Sequence, residues 1–378
     1  MILINPFKGL RPKSKLASKI STPGIGYLSK KVIRKQKTKY NKGFLNILLS
    51  KNPKKANRQL LTMKKSSLIK DDKNSYYIYR ITSNSHSQIG IIGKINLSKY
   101  DDKNILGHEE TFEKRVIERK KQMSSLNTQI GPIYTVHEGN KKLNKLINQI
   151  IKSKKNYSFS SVDKCKHDLW IVNNKERIEN IRNMLKKIGK LYVCDGHHRI
   201  QAMLRINKIK SAMIVAFPKN HIKILYYNRL VKSKMKKEKI FKIINKNFLI
   251  KKVKFNYKPN KIGKFGMYIN KSWYSLKFKK KLNKLNIKNL DINILHNYII
   301  NNLIKNTKTT NNIKYVSGIY HKKLLEKKVN SKNYSLALTL FPTKINDVIN
   351  IAEKKKIMPP KSTWFHPKPL DGLISFEL

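Results

Sequence analysis

Leu191-Tyr192-Val193-Cys194-Asp195-Gly196-His197-His198-Arg199-Ile200 is the stretch on which the fold turns. Residues 191–194 form a short apolar run suited to a buried strand. Glycine follows one residue later, and residues 196–206 carry Ile200, Met203 and Leu204 at helical spacing. A strand, a tight glycine turn and a helix start together make an anion site. The free N–H groups of a first helical turn point outward, and the helix dipole favours negative charge. Gly196 allows close backbone approach and unusual dihedrals. Arg199 can grip phosphate oxygens with two N–H groups. Asp195 can hold Mg²⁺ or orient a hydroxyl, and His197 or His198 can donate to phosphate or move a proton. The plainer reading is a helix capped by Asp195 with two surface histidines. Zinc is not expected, because neighbouring helical side chains point roughly 100° apart and no CxxC or HxxxH spacing occurs. Haem is not expected either.

Outward from this stretch, strands and helices alternate. Residues 76–81 and 88–97 read as paired strands rich in Ile and Tyr. Residues 110–123 are helix-prone, 131–136 a strand, 141–151 a helix, 168–172 a strand and 176–188 a helix. Residues 212–217, 222–227, 265–269 and 334–340 read as strands, and 292–304 and 345–353 as helices. This order predicts an α/β or α+β fold, a mixed sheet core with flanking helices and a further C-terminal α+β region. Residues 1–229 are expected to carry the chemical motifs and 230–378 the second region, unless the two are continuous. Residues 1–75 yield only a short extended segment, 2–10, before a basic stretch.

Two further motifs carry chemistry. Gly107-His108-Glu109-Glu110-Thr111 is expected to open the helix that contains Arg115, Glu118 and Arg119. A His beside carboxylates can supply a general base and a metal anchor, although the spacing is not HExxH. The bland alternative is acidic residues favouring a helix dipole. Near the C-terminus, Pro359-Pro360 stiffens the approach to Lys361, Ser362 and Thr363, which present donors suited to phosphate or carboxylate. Equally, this segment reads as a proline turn anchored by Trp364 and Phe365.

Composition bounds the partners. The chain has 378 residues and a net charge of +63, from 84 Lys plus Arg against 21 Asp plus Glu. Only 11 of the 84 are Arg, and Lys, Asn and Ile abound, as in a gene drifting toward A and T. The lysines are scattered along the whole chain, whereas a nucleic-acid surface concentrates charge on one face. No specific nucleic acid is therefore expected, although salt-sensitive sticking is. All 11 arginines lie between Arg11 and Arg229. Where Lys is the default cation, a retained Arg suggests a need for its planar fork. Two cysteines, Cys165 and Cys194, make no disulfide framework. No run of 18 apolar residues exists and the first residues lack an apolar signal core, so a cytoplasmic protein with no membrane partner is expected.

In this order the motifs resemble the bacterial and archaeal family catalogued as domain of unknown function 1015. The resemblance takes in Pro6-Phe7-Lys8-Gly9-Leu10-Arg11-Pro12, His108–Thr111 with Glu118-Arg119, Gly131-Pro132, and Leu169-Trp170-Ile171-Val172. It continues through Asp195–Arg199, Tyr227-Asn228-Arg229, Phe265-Gly266-Met267-Tyr268 and Pro359–Phe365. One departure is Thr22-Pro23-Gly24-Ile25-Gly26-Tyr27, where the family has a Pro-Pro-Tyr-Asp segment. The Asp195–Arg199 element also resembles the phosphate-binding strand–turn–helix of the ParB/sulfiredoxin superfamily, which includes free-serine kinases. That likeness implies phosphoryl-transfer or phosphate-ester chemistry on a small metabolite, serine or phosphoserine first, with Mg²⁺ and a nucleotide, ATP or ADP. It implies Glu109 as base, with His108 beside it. Asp195, Gly196, His197, His198 and Arg199 would cradle phosphate, with Thr111, Arg119, Lys361, Ser362 and Thr363 as further contacts. The alternative it implies is a nucleotide-dependent, ParB-like nucleic-acid-binding protein.

Overall fold

The computed structural model describes residues 3–100, 103–255, 257–282, 290–304, 312–320, 323–359 and 361–378. Ile2 and Pro360, both part of the motifs above, lie outside them. The chain divides into two units, residues 1–223 with 367–378, and residues 224–366. The last twelve residues thus return to the first unit, a feature no contiguous division of the sequence contains.

In the first unit, eight strands form one mixed sheet: β1 (Tyr76–Ser83), β2 (His86–Asn96), β3 (Ile105–Leu106), β4 (Ile133–His137), β5 (Tyr157–Ser160), β6 (Lys166–Val172), β7 (Leu191–Asp195) and β8 (Ser211–Pro218). The order across the sheet is β3-β7-β4-β8-β2-β1-β6-β5. The pairs β3–β7 and β4–β8 are parallel and the rest antiparallel. The β1–β2 hairpin has the register Tyr77↔Ile92. Side chains alternate faces, so Tyr76 and Ile78 join the core while Tyr77 and Tyr79 point the other way.

Helices α4 (Glu113–Leu126), α5 (Lys141–Ile150), α6 (Lys175–Leu185) and α7 (His197–Leu204) cover one face. Their apolar stripes supply Val116, Leu143, Ile147, Ile181, Leu185, Ile200 and Met203 to one cluster with Ile133, Val193 and Ile214. Three earlier helices, α1 (Lys30–Lys39), α2 (Phe44–Leu49) and α3 (Pro53–Ser66), stand where the sequence reading was blank. α1 buries no residue, so it carries no apolar stripe to read.

Buried polar groups tie the C-terminal segment to the sheet. Gln88 Nε2 donates to the Pro367 carbonyl at 3.0 Å, Leu370 N to Tyr79 Oη at 3.3 Å, and Ser375 Oγ to the Ile130 carbonyl at 3.2 Å. Burying donors and acceptors is tolerable because each is paired.

The second unit is a separate six-stranded antiparallel sheet: β9 (Tyr227–Val231), β10 (Phe248–Val253), β11 (Lys264–Ile269), β12 (Ser272–Phe278), β13 (Ile313–Ser317) and β14 (Leu336–Leu340), ordered β10-β12-β11-β14-β9-β13. Around it lie α8 (Lys237–Asn245), α9 (Asp291–Leu295, running on through a π-turn, His296–Ile300, to Leu303), α10 (Lys323–Asn330) and α11 (Ile345–Glu353). The single strand expected at 222–227 is in fact two, Ile224–Leu225 and then β9, separated at Tyr226. The protein is thus α+β, with a large mixed sheet and flanking helices. Among the described residues, no helix is long and apolar enough to cross a membrane.

Candidate active site

β7 ends on Asp195, and the chain reverses through Gly196 at φ 102° and ψ 15° before α7 begins. A side chain in this left-handed region costs roughly 1–2 kcal/mol, so glycine is the natural occupant. No side chain caps α7. The plainer reading, a cap by Asp195, is therefore set aside. Asp195 Oδ1 instead meets Lys368 Nζ at 2.5 Å, and Oδ2 lies 3.6 Å from Arg199 Nη2. The helix thus starts without a side-chain cap from its own N-cap residue, as an anion site at this turn requires.

The two histidines hook the second motif onto this turn. The backbone N–H of His108 donates to His197 Nε2 at 3.3 Å, and that of Phe112 donates to His198 Nε2 at 3.1 Å. Both imidazoles accept through Nε2, which places the proton of each neutral ring on Nδ1. His197 Nδ1 then faces Glu109 Oε2 at 3.7 Å. Burial, reinforced by the neighbouring His108, drives the pKa of His197 well below its ordinary value. Burial alone takes His108 to about 4. Both rings are neutral around pH 7 and cross at 89°, 4.9 Å apart.

With both ends tied, Glu109, Glu110 and Thr111 stay outside the helix. The expectation that they open the helix is corrected: Phe112 is the N-cap of α4, and Glu113 is its first residue. Phe112 stacks on the His198 ring at 6.0 Å, and the guanidinium of exposed Arg115 lies 5.7 Å from the centre of the Phe112 ring.

Three cations and two carboxylates complete the site. Arg199 folds back over the glycine turn. Its Nη1 donates to the Gly131 carbonyl at 2.9 Å and lies 3.7 Å from Asp371 Oδ1. Arg119, on α4, gives Nη1 to Gln122 Oε1 at 2.8 Å. Burial and then the positive charge of Arg199 lower its pKa, while Asp371 and Asp195 oppose them. Enclosure would raise the Asp195 pKa, but Lys368 and Arg199 outweigh it and hold the group at about 2. Asp371 goes the other way: burial raises it, against Arg199 and Arg119. The side chains stay within reach of solvent, at 37% exposure for Asp195 and 21% for each of Arg199 and Asp371.

The structure therefore brings His108, Glu109, Thr111, Arg119, Asp195, Gly196, His197, His198 and Arg199 into one neighbourhood. Lys361, Ser362 and Thr363 belong to the second unit and are built into its turn. Ser362 Oγ donates to the Pro359 carbonyl at 2.5 Å, so that hydroxyl is already engaged. The Lys361 carbonyl accepts from Arg229 Nη2 at 3.1 Å. The magnesium reading of Asp195 meets a carboxylate that already faces Lys368 and Arg199. Among the described residues no group of three His, Cys, Asp or Glu side chains converges.

Lys368 and Asp371 were missed in the sequence reading. One signal could have found them. The chain has just two Asp-Gly pairs, 195–196 and 371–372, and both lie at this site. The Thr22–Tyr27 loop, where the family pattern departs, also lies here. Thr22 and Asp371 exchange backbone hydrogen bonds of 3.0 and 2.9 Å, and Lys368 Nζ sits 6.0 Å from the centre of the Tyr27 ring.

No curated protein matches the chain. Among solved structures, it is similar to a free serine kinase, a point mutant in complex with ADP. That match has 11% identity and a TM-score of 0.41 over 75% of this chain and 92% of that one. It is also similar to a conserved hypothetical protein from Pyrococcus furiosus, with 11% identity and a TM-score of 0.38 over 76% and 94%. Likenesses at this level settle neither activity nor ligand. A family model does match, over residues 4–293 and thus most of the chain, and the protein accordingly belongs to the family described as "Protein of unknown function (DUF1015)".

Proposed function

We propose that this protein is a phosphoryl-transfer or phosphate-ester enzyme acting on a small hydroxyl-bearing metabolite, with serine or phosphoserine as the first substrate to try. One observation carries the reading. The uncapped glycine turn has the Arg199 guanidinium beside it, and His197 in the first turn of the helix has its Nδ1 3.7 Å from the Glu109 carboxylate, with Arg199 and Glu109 both partly exposed. The ParB/sulfiredoxin-like character of the strand–turn–helix belongs to this proposal too.

In the transfer direction, phosphate oxygens of a bound nucleotide, ATP or ADP, rest on the first N–H groups of α7 and on Arg199, with Arg119 and Lys368 adding positive charge. Glu109 takes the proton as the substrate O–H breaks and its oxygen bonds phosphorus, and the bond to the leaving nucleotide oxygen breaks. His197 Nδ1–H faces the Glu109 carboxylate from 3.7 Å. In the hydrolytic direction, Glu109 takes a proton from water instead. No step is routed through a metal.

The test is turnover by the purified chain of serine with ATP or ADP, followed by ³¹P NMR, and separately phosphate release from phosphoserine. Turnover in one arm, lowered on the order of 10²-fold in Arg199→Ala and in Glu109→Gln, is the expected result. No turnover in either arm, with wild type and Arg199→Ala indistinguishable, removes the proposal.

A further inference from the structure

Behind the site, a line of buried polar groups crosses the sheet to the segment that carries Lys368 and Asp371. Tyr79 on β1 and His167 on β6 are both fully buried. The ladder pairs Ile81 with His167 and Tyr79 with Leu169, so the two side chains are diagonal neighbours on one face. The His167 ring lies 5.8 Å from the Tyr79 ring and 5.7 Å from Phe159. Tyr79 Oη is 2.7 Å from His167 Nδ1, and His167 Nε2 is 2.8 Å from Ser161 Oγ. Ser161 Oγ also meets the Asp163 carboxylate, and Tyr79 Oη receives the Leu370 N–H at 3.3 Å.

Donor and acceptor roles follow from the ends of this line. The other neighbours of Ser161 Oγ, the Asp163 carboxylate and the Cys165 carbonyl at 3.2 Å, accept, so its one hydroxyl hydrogen goes to them and not to His167. Ser161 must then accept from His167, which puts the ring proton on Nε2. His167 Nδ1 is therefore an acceptor, and Tyr79 donates to it while accepting from Leu370. The Ser161 end fixes this tautomer, and the Leu370 end fits it. Every hydrogen bond from the Leu370 amide to Asp163 points one way, an arrangement in which each bond strengthens the next. The same assignment rejects another use of the pair. Ser161 and His167 sit within reach as a nucleophile and a base, but the nitrogen facing the hydroxyl already holds its proton.

We infer that Tyr79 and His167 are positioning residues: their one-way hydrogen-bond chain, anchored on Ser161 and Asp163, holds the Lys368–Gly372 segment in place behind the candidate site. That segment supplies Lys368 to Asp195 and Asp371 to Arg199. The inference rests on the proposed phosphoryl-transfer reading for its kinetic readout alone.

Three measurements on the full chain test it. ¹⁵N NMR of the His167 imidazole should show Nδ1 unprotonated and Nε2 protonated; the opposite tautomer overturns the chain. Tyr79→Phe, which removes a single oxygen, should speed amide exchange at Leu370 about five- to tenfold, the equivalent of one hydrogen bond. Unchanged exchange there overturns the positioning role. His167→Leu should lower kcat about tenfold or more through misplacement, with a smaller change in KM. His167→Gln keeps an acceptor toward Tyr79 and a donor toward Ser161, and should restore kcat to within about twofold on the same ground. Equal losses in the Leu and Gln variants mean that the ring only fills space. Should wild type show no turnover, the tautomer and the Leu370 exchange still decide this inference, while the functional proposal falls separately.

Discussion

The two Asp-Gly turns share their residue types, a left-handed glycine and a common guanidinium, yet their surroundings give them opposite properties. Asp195-Gly196 lies between β7 and α7, with φ 102° at the glycine, and opens the helix. Asp371-Gly372 joins no strand to a helix. There Gly372, at φ 80°, is pressed against the Phe44 ring and donates its N–H to the Ile130 carbonyl at 2.9 Å. Lys368 and Arg199 hold the first carboxyl at about 2, while burial raises the second. Two identical dipeptides thus carry carboxyls pushed apart in pKa, and the protein around them does the pushing. In the proposed reading the first turn receives the phosphate, while the second carries Asp371 to Arg199.

The sharpest way to break this comparison is at the glycines. Gly196→Ala should lower turnover on the order of 10²-fold, because it displaces first-turn N–H groups and puts a Cβ 3.3 Å from Arg199 Nε. Its stability loss should be modest, roughly 1–2 kcal/mol of left-handed strain. Gly372→Ala adds a collision with Phe44 to the same strain and should lose roughly 2–5 kcal/mol in urea unfolding. Equal stability losses at the two sites, or a larger one at Gly196, would contradict the division of labour.

The carboxyls sharpen the comparison through pH. Asp195, lowered in the folded state, contributes stability that is present above its ordinary value of 3.8 and lost as pH falls toward about 2. Its exposure limits that contribution to about 1 kcal/mol. Asp371, raised in the folded state, acts with the opposite sign. The fold favours its protonated form, so its contribution weakens as pH rises through the raised value. Unfolding free energies followed from pH 2 to 6 should therefore lose an acid-side decline in Asp195→Asn. In Asp371→Asn they should lose a decline on the rising side. Matching profiles for the two variants would show that the carboxyls are not differentiated.

The smallest effect is expected at Lys368. Lys368→Met removes one of the two cations beside Asp195 and should raise that carboxyl's pKa by roughly one unit in an NMR titration. Stability should change by no more than about 1 kcal/mol. An unmoved Asp195 titration would assign its low value to Arg199 alone.

Legibility in the sequence followed local periodicity. The β1–β2 hairpin, β7 with its glycine turn, and α5, α6 and α7 could be read because each has an apolar pattern of period 2 or 3.6 over a continuous run. α1 could not be, since Lys30–Lys39 buries nothing and leaves no stripe. The start of α4 was misplaced by three or four residues. His197 and His198 take the N–H groups at either end of Glu109–Thr111, which stays outside the helix. At the site, Glu109, Asp195, Gly196 and Arg199 stood out by residue type and spacing. Lys368 did not, because nothing adjacent to it in sequence marks it, and Asp371 offered only the repeated Asp-Gly pair with no helical run after it.

By itself, the amino-acid sequence determined the strand–turn–helix from 191 onward, the use of glycine at 196, and a mixed α/β or α+β architecture, since these follow from short-range patterning and backbone sterics. Only the tertiary structure decided that a segment over 170 residues further along the chain supplies the partners of Asp195 and Arg199. It also decided that one Asp is held ionised while its twin is raised, and that the paired histidines serve as hooks. Charge state and contact depend on distance in space, and the sheet closes those distances without leaving a period in the sequence.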